Sequence, residues 1–106
     1  MAGHNEQQKK ARQLGDKQVI KTATATLTTS EVLADGLILA NKATAITLTM
    51  PATITALAGV SGTVANKGAG ELTVAFTSTA GASTATFAQG LGTGYRYDED
   101  GKCYLV

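Results

Sequence analysis

From Gln18 onward the chain repeatedly alternates apolar and polar residues, and this period of two limits its fold more than any other feature. In the stretch 19–28, threonines occupy the even positions from 22 and apolar residues most of the odd ones. Such spacing places successive side chains on opposite faces of a β-strand. The stretch therefore predicts one long first strand, and the same alternation predicts strands at 45–50 and 72–76.

Short turn signals separate these stretches, and weaker strand patterns lie between them. The run 37–40 is apolar without alternation, which is expected of a central strand covered on both faces. Pro51 ends the strand predicted at 45–50, because proline has no N–H to donate to the hydrogen bonds between strands. Weak strands are predicted at 60–65 and 84–88, and 52–59 is either a short helical turn or a loop. We predict an all-β fold without a core helix: a small β-sandwich or barrel-like module of about seven or eight short strands.

The end of the chain predicts a tight hairpin that carries the three tyrosines. Asp100-Gly101 is typical of a two-residue turn with positive φ angles, which would place Tyr97 opposite Tyr104 and Tyr95 opposite Val106. Glu99 and Lys102 would then form an ion pair across the turn. One face of this hairpin would present a possible aromatic surface of Tyr95, Tyr97 and Tyr104.

The first 17 residues differ from the rest and predict a polar, basic N-terminal arm ahead of an all-β domain at 18–106. The arm has few apolar residues with which to pack a helix, so it is expected to order on a partner or to have no role. Residues 1–21 carry a net charge of +3, while the remainder carries −2. The candidate partner-binding residues of the arm are Lys9, Lys10, Arg12 and Lys17.

The inventory of reactive side chains excludes several classes of protein. A chain of 106 residues with one His, one Cys and one Pro has too few ligands for a multi-ligand zinc site or a disulfide framework. His4 has no carboxylate held beside it, and Cys103 is expected to be a small buried hydrophobic residue. We therefore expect no enzyme, no cofactor and no metal. The net charge of +1 argues against a nucleic-acid partner, and no apolar run is long enough for a signal peptide or a membrane span.

Three patterns resemble ligand sites but have simpler explanations. The glycines at 90, 92 and 94 lack the lysine and the following helix of a phosphate loop. Asp98-Glu99-Asp100-Gly101 lacks the further ligands of a calcium loop and is explained by its turn. The T-x-T units resemble ice-binding surfaces, but their irregular intervals favour threonine as a strand former on an exposed or subunit-facing sheet.

The scarcity of charge in the β domain predicts self-association. Ala, Thr and Gly together make up about 44% of the chain, so the outer sheet surfaces must consist largely of small, uncharged residues. Monomeric β proteins usually protect their sheet edges with charges, bulges or prolines, which this sequence has in small number. We predict an obligate homo-oligomer, most plausibly a trimer, with a weakly charged monomer as the alternative.

Four segments together resemble a β module found in tailed-bacteriophage fibres and head-decoration proteins. They are 28–39, the "I-T-x-T" pattern before a proline at 46–51, the middle hairpin 64–74, and the closing "D-G-x-x-Y" hairpin at 94–106. The resemblance covers about residues 24–106. Met50 stands where Leu is commoner, and Tyr104 where Trp is frequent, and both changes keep a packing role. The pattern is structural, so it carries no functional residues over to this chain.

The resemblance implies a non-enzymatic virion component, commonly trimeric. A short module with a basic arm suits a decoration, or cement, protein that binds the major capsid protein on the outer capsid surface and is made in the host cytoplasm. The alternative is a tail- or head-fibre or adhesin-like module that binds a host-surface glycan through the three tyrosines.

Overall fold

The computed structural model of the protein describes residues 18–33 and 36–106, which are mainly β. A five-residue helix, α1 (Thr29–Leu33), lies between the second and third strands, and a 3-10 turn (Thr55–Leu57) lies between the fourth and fifth. The nine strands in these residues are β1 (Val19–Lys21), β2 (Ala25–Thr26), β3 (Leu37–Ala40), β4 (Ile46–Thr49), β5 (Ser61–Asn66), β6 (Leu72–Ser78), β7 (Gly81–Phe87), β8 (Gly92–Tyr97) and β9 (Cys103–Leu105). The predicted mainly-β character is confirmed.

The strands form two mixed sheets, and successive strands of the first two thirds of the chain belong to alternate sheets. Sheet I has the order β1-β3-β5-β8-β9 and sheet II the order β2-β4-β6-β7. From β1 to β6 each strand crosses to the other sheet, so neighbours in these parts of both sheets are parallel. The last three strands then pair antiparallel with β6, β5 and β8. Each crossover between parallel strands therefore contains a strand of the opposite sheet, where a helix is commoner.

The predicted long first strand is wrong, because the chain bends at Ala23 and divides it between the two sheets. Val19 of β1 pairs with Ile38 of β3, whereas Ala25 of β2 pairs with Leu48 of β4. Alternation could not show this division, since both pieces keep the same inward and outward pattern. The run 37–40 is an interior strand as expected, but β5 occupies the middle of sheet I.

The core lies between the sheets and receives side chains from both. The inward residues of β4 and β6, such as Leu48 and Val74, are fully buried and meet Ile38 and Val64 of sheet I in one cluster. Complete burial of one such side chain contributes about 1.5–3 kcal/mol. The cluster consists of Leu27, Val32, Ile38, Ala40, Ile46, Leu48, Met50, Leu57, Val64, Leu72, Val74, Tyr95, Tyr97 and Cys103.

Helix α1 was not predicted, although its start carries a recognisable signal. The Thr28 hydroxyl accepts a hydrogen bond from the Glu31 N–H, and the Glu31 carboxylate accepts one from the Thr28 N–H. This T-x-x-E arrangement is a capping box, in which two otherwise unpaired N–H groups are satisfied. Glu31 also forms an ion pair with Lys21, and the hydrogen bond from Lys21 lowers the pKa of the Glu31 carboxyl. The helix then places Val32 in the core.

The closing hairpin forms, but the predicted register is wrong by one residue. Tyr97 lies opposite Cys103 and Tyr95 opposite Leu105. The loop has three residues between Asp98 and Lys102 and ends in Gly101, whose φ of +78° suits a type I turn followed by a bulge. A one-residue shift moves Tyr104 to the opposite side of the strand from the other two tyrosines. The predicted ion pair of Glu99 with Lys102 is absent; Lys102 Nζ instead lies 3.5 Å from Thr53 Oγ1.

The middle hairpin expected at 64–74 is wrong, because β5 lies in sheet I and β6 in sheet II. The crossover between them is organised by the buried Asn66 side chain. Its Nδ2 donates to the carbonyl oxygens of Gly70 and Phe87 at 2.8 and 2.9 Å, and its Oδ1 accepts from the Gly68 N–H at 3.0 Å. The backbone of 67–70 also donates to Ala40 and Lys42 of the preceding crossover. Glycine is required at 70 because a Cβ there would overlap the Thr44 carbonyl. Asn66 thus joins the end of β5 to the end of β7.

Candidate interaction surfaces

The proposed basic arm begins outside the part of the chain that the structure describes. Lys9, Lys10, Arg12 and Lys17 lie outside the described residues, as does His4. The first described residue, Gln18, leads directly into β1 at one edge of sheet I. The arm therefore joins the β domain at that edge, and its binding role stays a prediction.

The predicted aromatic surface is not formed, because two of its three tyrosines belong to the core. Tyr95 and Tyr97 are 1% and 3% exposed, and their rings meet edge to face with centroids 6.3 Å apart. Their hydroxyls donate to the carbonyl oxygens of Val32 and Pro51 at 3.3 and 3.0 Å. The Tyr95 ring also covers Gly62, where a Cβ would overlap it. The two hydrogen bonds therefore connect sheet I to helix α1 and to the segment that follows β4.

The third tyrosine, Tyr104, is half-buried and separate from the other two. Its hydroxyl lies 2.5 Å from the Thr79 hydroxyl, at the tip of the β6–β7 hairpin. This contact connects the edge of sheet I with sheet II. The structure thus brings no two of the three tyrosines together at the surface.

Cys103 is a buried core residue, as the sequence predicts. It is fully buried opposite Tyr97, and burial raises the pKa of its thiol to about 11. Burial and the neighbouring Cys103 raise the pKa of the Tyr97 hydroxyl above its usual value as well. Both groups are therefore protonated at neutral pH, and neither is exposed to a reagent.

The acidic cluster before Gly101 forms the hairpin loop, which confirms its explanation as turn chemistry. The Asp98 carboxylate accepts hydrogen bonds from the N–H groups of Lys102 and Asp100 at 3.0 and 2.9 Å. The hydrogen bond from the Lys102 backbone lowers the pKa of Asp98. Within residues 18–33 and 36–106 no group of three or more His, Cys, Asp or Glu side chains is placed to hold a metal ion.

The outer face of sheet II is rich in threonines, which stand in rows across the strands. The irregular spacing of the threonines along the sequence did not predict these rows. Thr47, Thr73 and Thr86 stand in register on β4, β6 and β7. A second row contains Thr26, Thr49, Ala75 and Thr84. The register of the parallel strands β2, β4 and β6 and of the antiparallel strand β7 aligns these threonines although their spacing along the sequence is unequal. No charged residue occupies these rows.

A shallow groove of about 350 Å³ lies over one end of sheet II. Hydroxyl groups and apolar side chains line it, including Thr49, Met50, Ala75, Phe76, Thr77 and Thr84. It contains no charged or amide side chain with which to orient a polar ligand.

The outer face of sheet I is aliphatic. Ile20, Leu39, Ala65 and Gly92 occupy one row across β1, β3, β5 and β8. Ile20 is 52% exposed, whereas Leu39 is half-buried. The next row contains Leu37, Thr63 and Gly94. In these two rows the large side chains lie on β1 and β3 and the small ones on β5 and β8. The exposed Arg96 and Val106 lie beside the small ones, on the β8 side of the face.

Charged residues concentrate at the two ends of the strands and leave both sheet faces almost free of charge. Lys42, Lys67 and Glu71 lie in the crossovers that follow β3 and β5. The loop at 98–102 carries four charges at the opposite end. Among the described residues, Arg96 is the one charged side chain at an outward position in the middle strands of sheet I.

No family model, curated protein or solved structure matches this chain. In the described part of the chain, no helix is both long enough and apolar enough to cross a membrane.

Proposed function

We propose that the protein is a bacteriophage capsid decoration protein, without enzymatic activity, that binds the outer capsid surface as a homo-oligomer and stabilises the head. Its location is the virion, and its partners are further copies of itself and the major capsid protein. The observation that carries this proposal is the pair of outer sheet faces, which carry almost no charge and of which one exposes aliphatic residues. When other protein surfaces cover such faces, the free energy of the β domain is lowered.

Charge placement supports two separate contacts. The β domain uses its charges at the strand ends, where they leave the sheet faces free to associate. The four basic residues of the arm, Lys9, Lys10, Arg12 and Lys17, supply a positive segment next to β1. We infer that this segment docks on acidic capsid surface while the β domain forms a trimeric knob of small β-sandwiches.

Co-sedimentation with undecorated capsids tests the proposal. The full chain should pellet with capsids, and the four-site variant Lys9→Glu, Lys10→Glu, Arg12→Glu, Lys17→Glu should lose this binding, since reversed charges repel an acidic surface. Binding should also weaken as salt rises. The matched control reverses the two exposed lysines of the crossovers, Lys42→Glu and Lys67→Glu, and is compared with the two-site arm variant Lys9→Glu, Lys10→Glu, which has the same net charge. The control should bind as the unmodified chain does.

Two results would contradict the proposal. A full chain that stays in the supernatant at micromolar capsid concentration would exclude a decoration role. Equal losses of binding for the two-site arm variant and the crossover variant would show that overall charge, and not the arm, controls the contact.

The glycan-binding alternative, a fibre or adhesin-like module, depended on exposed aromatic rings that stack on sugars. Burial of Tyr95 and Tyr97 removes that platform. The groove on sheet II does not replace it, because its lining lacks a charged or amide group. We therefore retain the decoration role as the one proposed function.

A further inference from the structure

The outer face of sheet I has the anatomy of a protein interface. Its central part is aliphatic and uncharged, and charged crossovers and the charged hairpin loop lie beyond its two ends. An apolar centre with a polar rim is the usual arrangement of a specific interface. We name this surface the sheet I face; it consists of Ile20, Leu37, Leu39, Thr63, Ala65 and Gly92.

The two halves of the sheet I face complement each other in shape. Ile20 and Leu39 form a raised half on β1 and β3, whereas Ala65 and Gly92 leave a low half on β5 and β8. The exposed side chains of Val106 and Arg96 border the low half on its far side. Gly92 is exposed, so its low surface is open to contact. A second copy of the same face can set its raised half on the low half of the first.

The chemistry of the sheet I face also selects an uncharged partner. A charged surface brought against Ile20 and Leu39 would lose its hydration and gain no ion pair. The same face of another copy has no such penalty. The sheet II face differs, because threonine hydroxyls bind water and can remain exposed at little cost.

The size of the sheet I face fits the centre of such a contact. Its four strands, about 4.8 Å apart and about five residues long, cover on the order of 300 Å² in projection. A standard interface buries about 800 Å² on each partner, including its rim. The charged residues at the strand ends lie where that rim would be.

We propose that the sheet I face is the surface through which identical copies of this chain associate. The inference rests on the homo-oligomer of the proposed function and assigns the residues that form it. The raised half of one copy packs on the low half of the next, and the proposed capsid contact of the arm is a separate interaction.

Matched charge substitutions test the assignment by light scattering on the full chain. Thr63→Lys places an ammonium group in the low half of the sheet I face, and Thr86→Lys places the same group on sheet II. Both threonines are exposed strand residues, so neither change disturbs the core. Thr63→Lys should raise the dissociation constant of the oligomer by at least about 100-fold, because an unpaired buried charge costs several kcal/mol and each 1.4 kcal/mol is tenfold. Thr86→Lys should change it by less than about threefold.

Thr63→Val separates the effect of charge from any effect on folding. This variant should associate at least as tightly as the unmodified chain, because it keeps the shape and removes a hydroxyl. Near-ultraviolet circular dichroism of the buried tyrosines reports on folding of every variant in the same samples.

Several outcomes would overturn the assignment. One is a folded Thr63→Lys variant that keeps its oligomeric mass. If that variant also exposes residues 1–17 to trypsin, the arm covers the face; if it loses capsid binding, the capsid does. Equal dissociation by Thr63→Lys and Thr86→Lys would move the contact away from sheet I. If the unmodified chain is monomeric and binds capsids, this interface is refuted and the decoration role is retained. If the chain is an oligomer that does not bind capsids, the decoration role is refuted and the interface is retained.

Discussion

Replacement of Asn66 by alanine should destabilise the β domain far more than an ordinary polar substitution. Asn66 is 2% exposed, and its amide makes three hydrogen bonds, two donated and one accepted. Each such bond contributes about 0.5–1.5 kcal/mol net, and an unpaired buried partner costs more. The expected loss in the free energy of unfolding is therefore about 3 kcal/mol, with a range of about 1.5–4.5 kcal/mol.

Gln89→Ala is the matched control for this prediction. The Gln89 amide also donates to a backbone carbonyl, that of Lys67 at 3.1 Å, but it is exposed. Water can replace that bond, so the expected loss is below about 0.5 kcal/mol. Urea titrations at one fixed protein concentration give both values, because association adds a concentration-dependent term to stability. In a thermal scan, Asn66→Ala should lower Tm by about 12–24 °C, since 1 kcal/mol corresponds to about 4–8 °C for a domain of this size.

A third variant, Asn66→Asp, adds a pH signature. The new carboxylate would face the carbonyl oxygens of Gly70 and Phe87, so its charged form is disfavoured and its pKa is raised in the folded state. The loss in the free energy of unfolding that comes from ionisation is absent below the unfolded pKa of about 3.9 and grows as the pH rises through the folded pKa. A loss for Asn66→Ala below 1 kcal/mol, or a pH-independent loss for Asn66→Asp, would refute the role given to this side chain.

Two further predictions concern the closing hairpin. Gly101→Ala should lower the free energy of unfolding by at least about 2 kcal/mol, because Gly101 has a positive φ and a Cβ there would overlap the Ile54 carbonyl. The control Gly90→Ala has a positive φ but open space around the new Cβ, so it should cost about 1 kcal/mol. Equal losses for the two variants in urea titrations would contradict this explanation. The chain should lose stability between about pH 9 and pH 11, because the Cys103 thiol ionises near 9 when unfolded and near 11 when folded; a Cys103→Ala variant with an equally steep alkaline loss would show that other groups are responsible.

Local signals predicted which segments are strands with good accuracy. The alternation at 45–50 and 72–76 gave two strands whose even-numbered residues face the core, as expected; Ile46, Leu48 and Val74 are buried, and Phe76 is partly buried. The burial of Cys103 was also predicted correctly. These features depend on residues close together in the chain, and a period of two is a local property of the backbone.

The candidate surfaces were less predictable, because they depend on register. A three-residue loop in place of a two-residue turn moved Tyr104 to the other side of its strand and ended the expected aromatic surface. The threonine rows were missed for a related reason. On the parallel strands of sheet II their alignment comes from crossovers of unequal length, since Thr26 aligns with Thr49 after 23 residues and Thr47 with Thr73 after 26.

The sequence by itself determined that the chain is mainly β, where most of its turns lie, and which side chains on most strands point inward. Only the tertiary structure decided which strands pair, in which of two sheets, and in which direction. Strand pairing is made by backbone N–H and C=O groups that nearly all residues share, so the side-chain pattern of one strand does not identify its neighbour. The neighbours follow from how the two sheets close over one core, and the aliphatic face of sheet I exists only because Ile20, Leu39 and Ala65 then lie side by side.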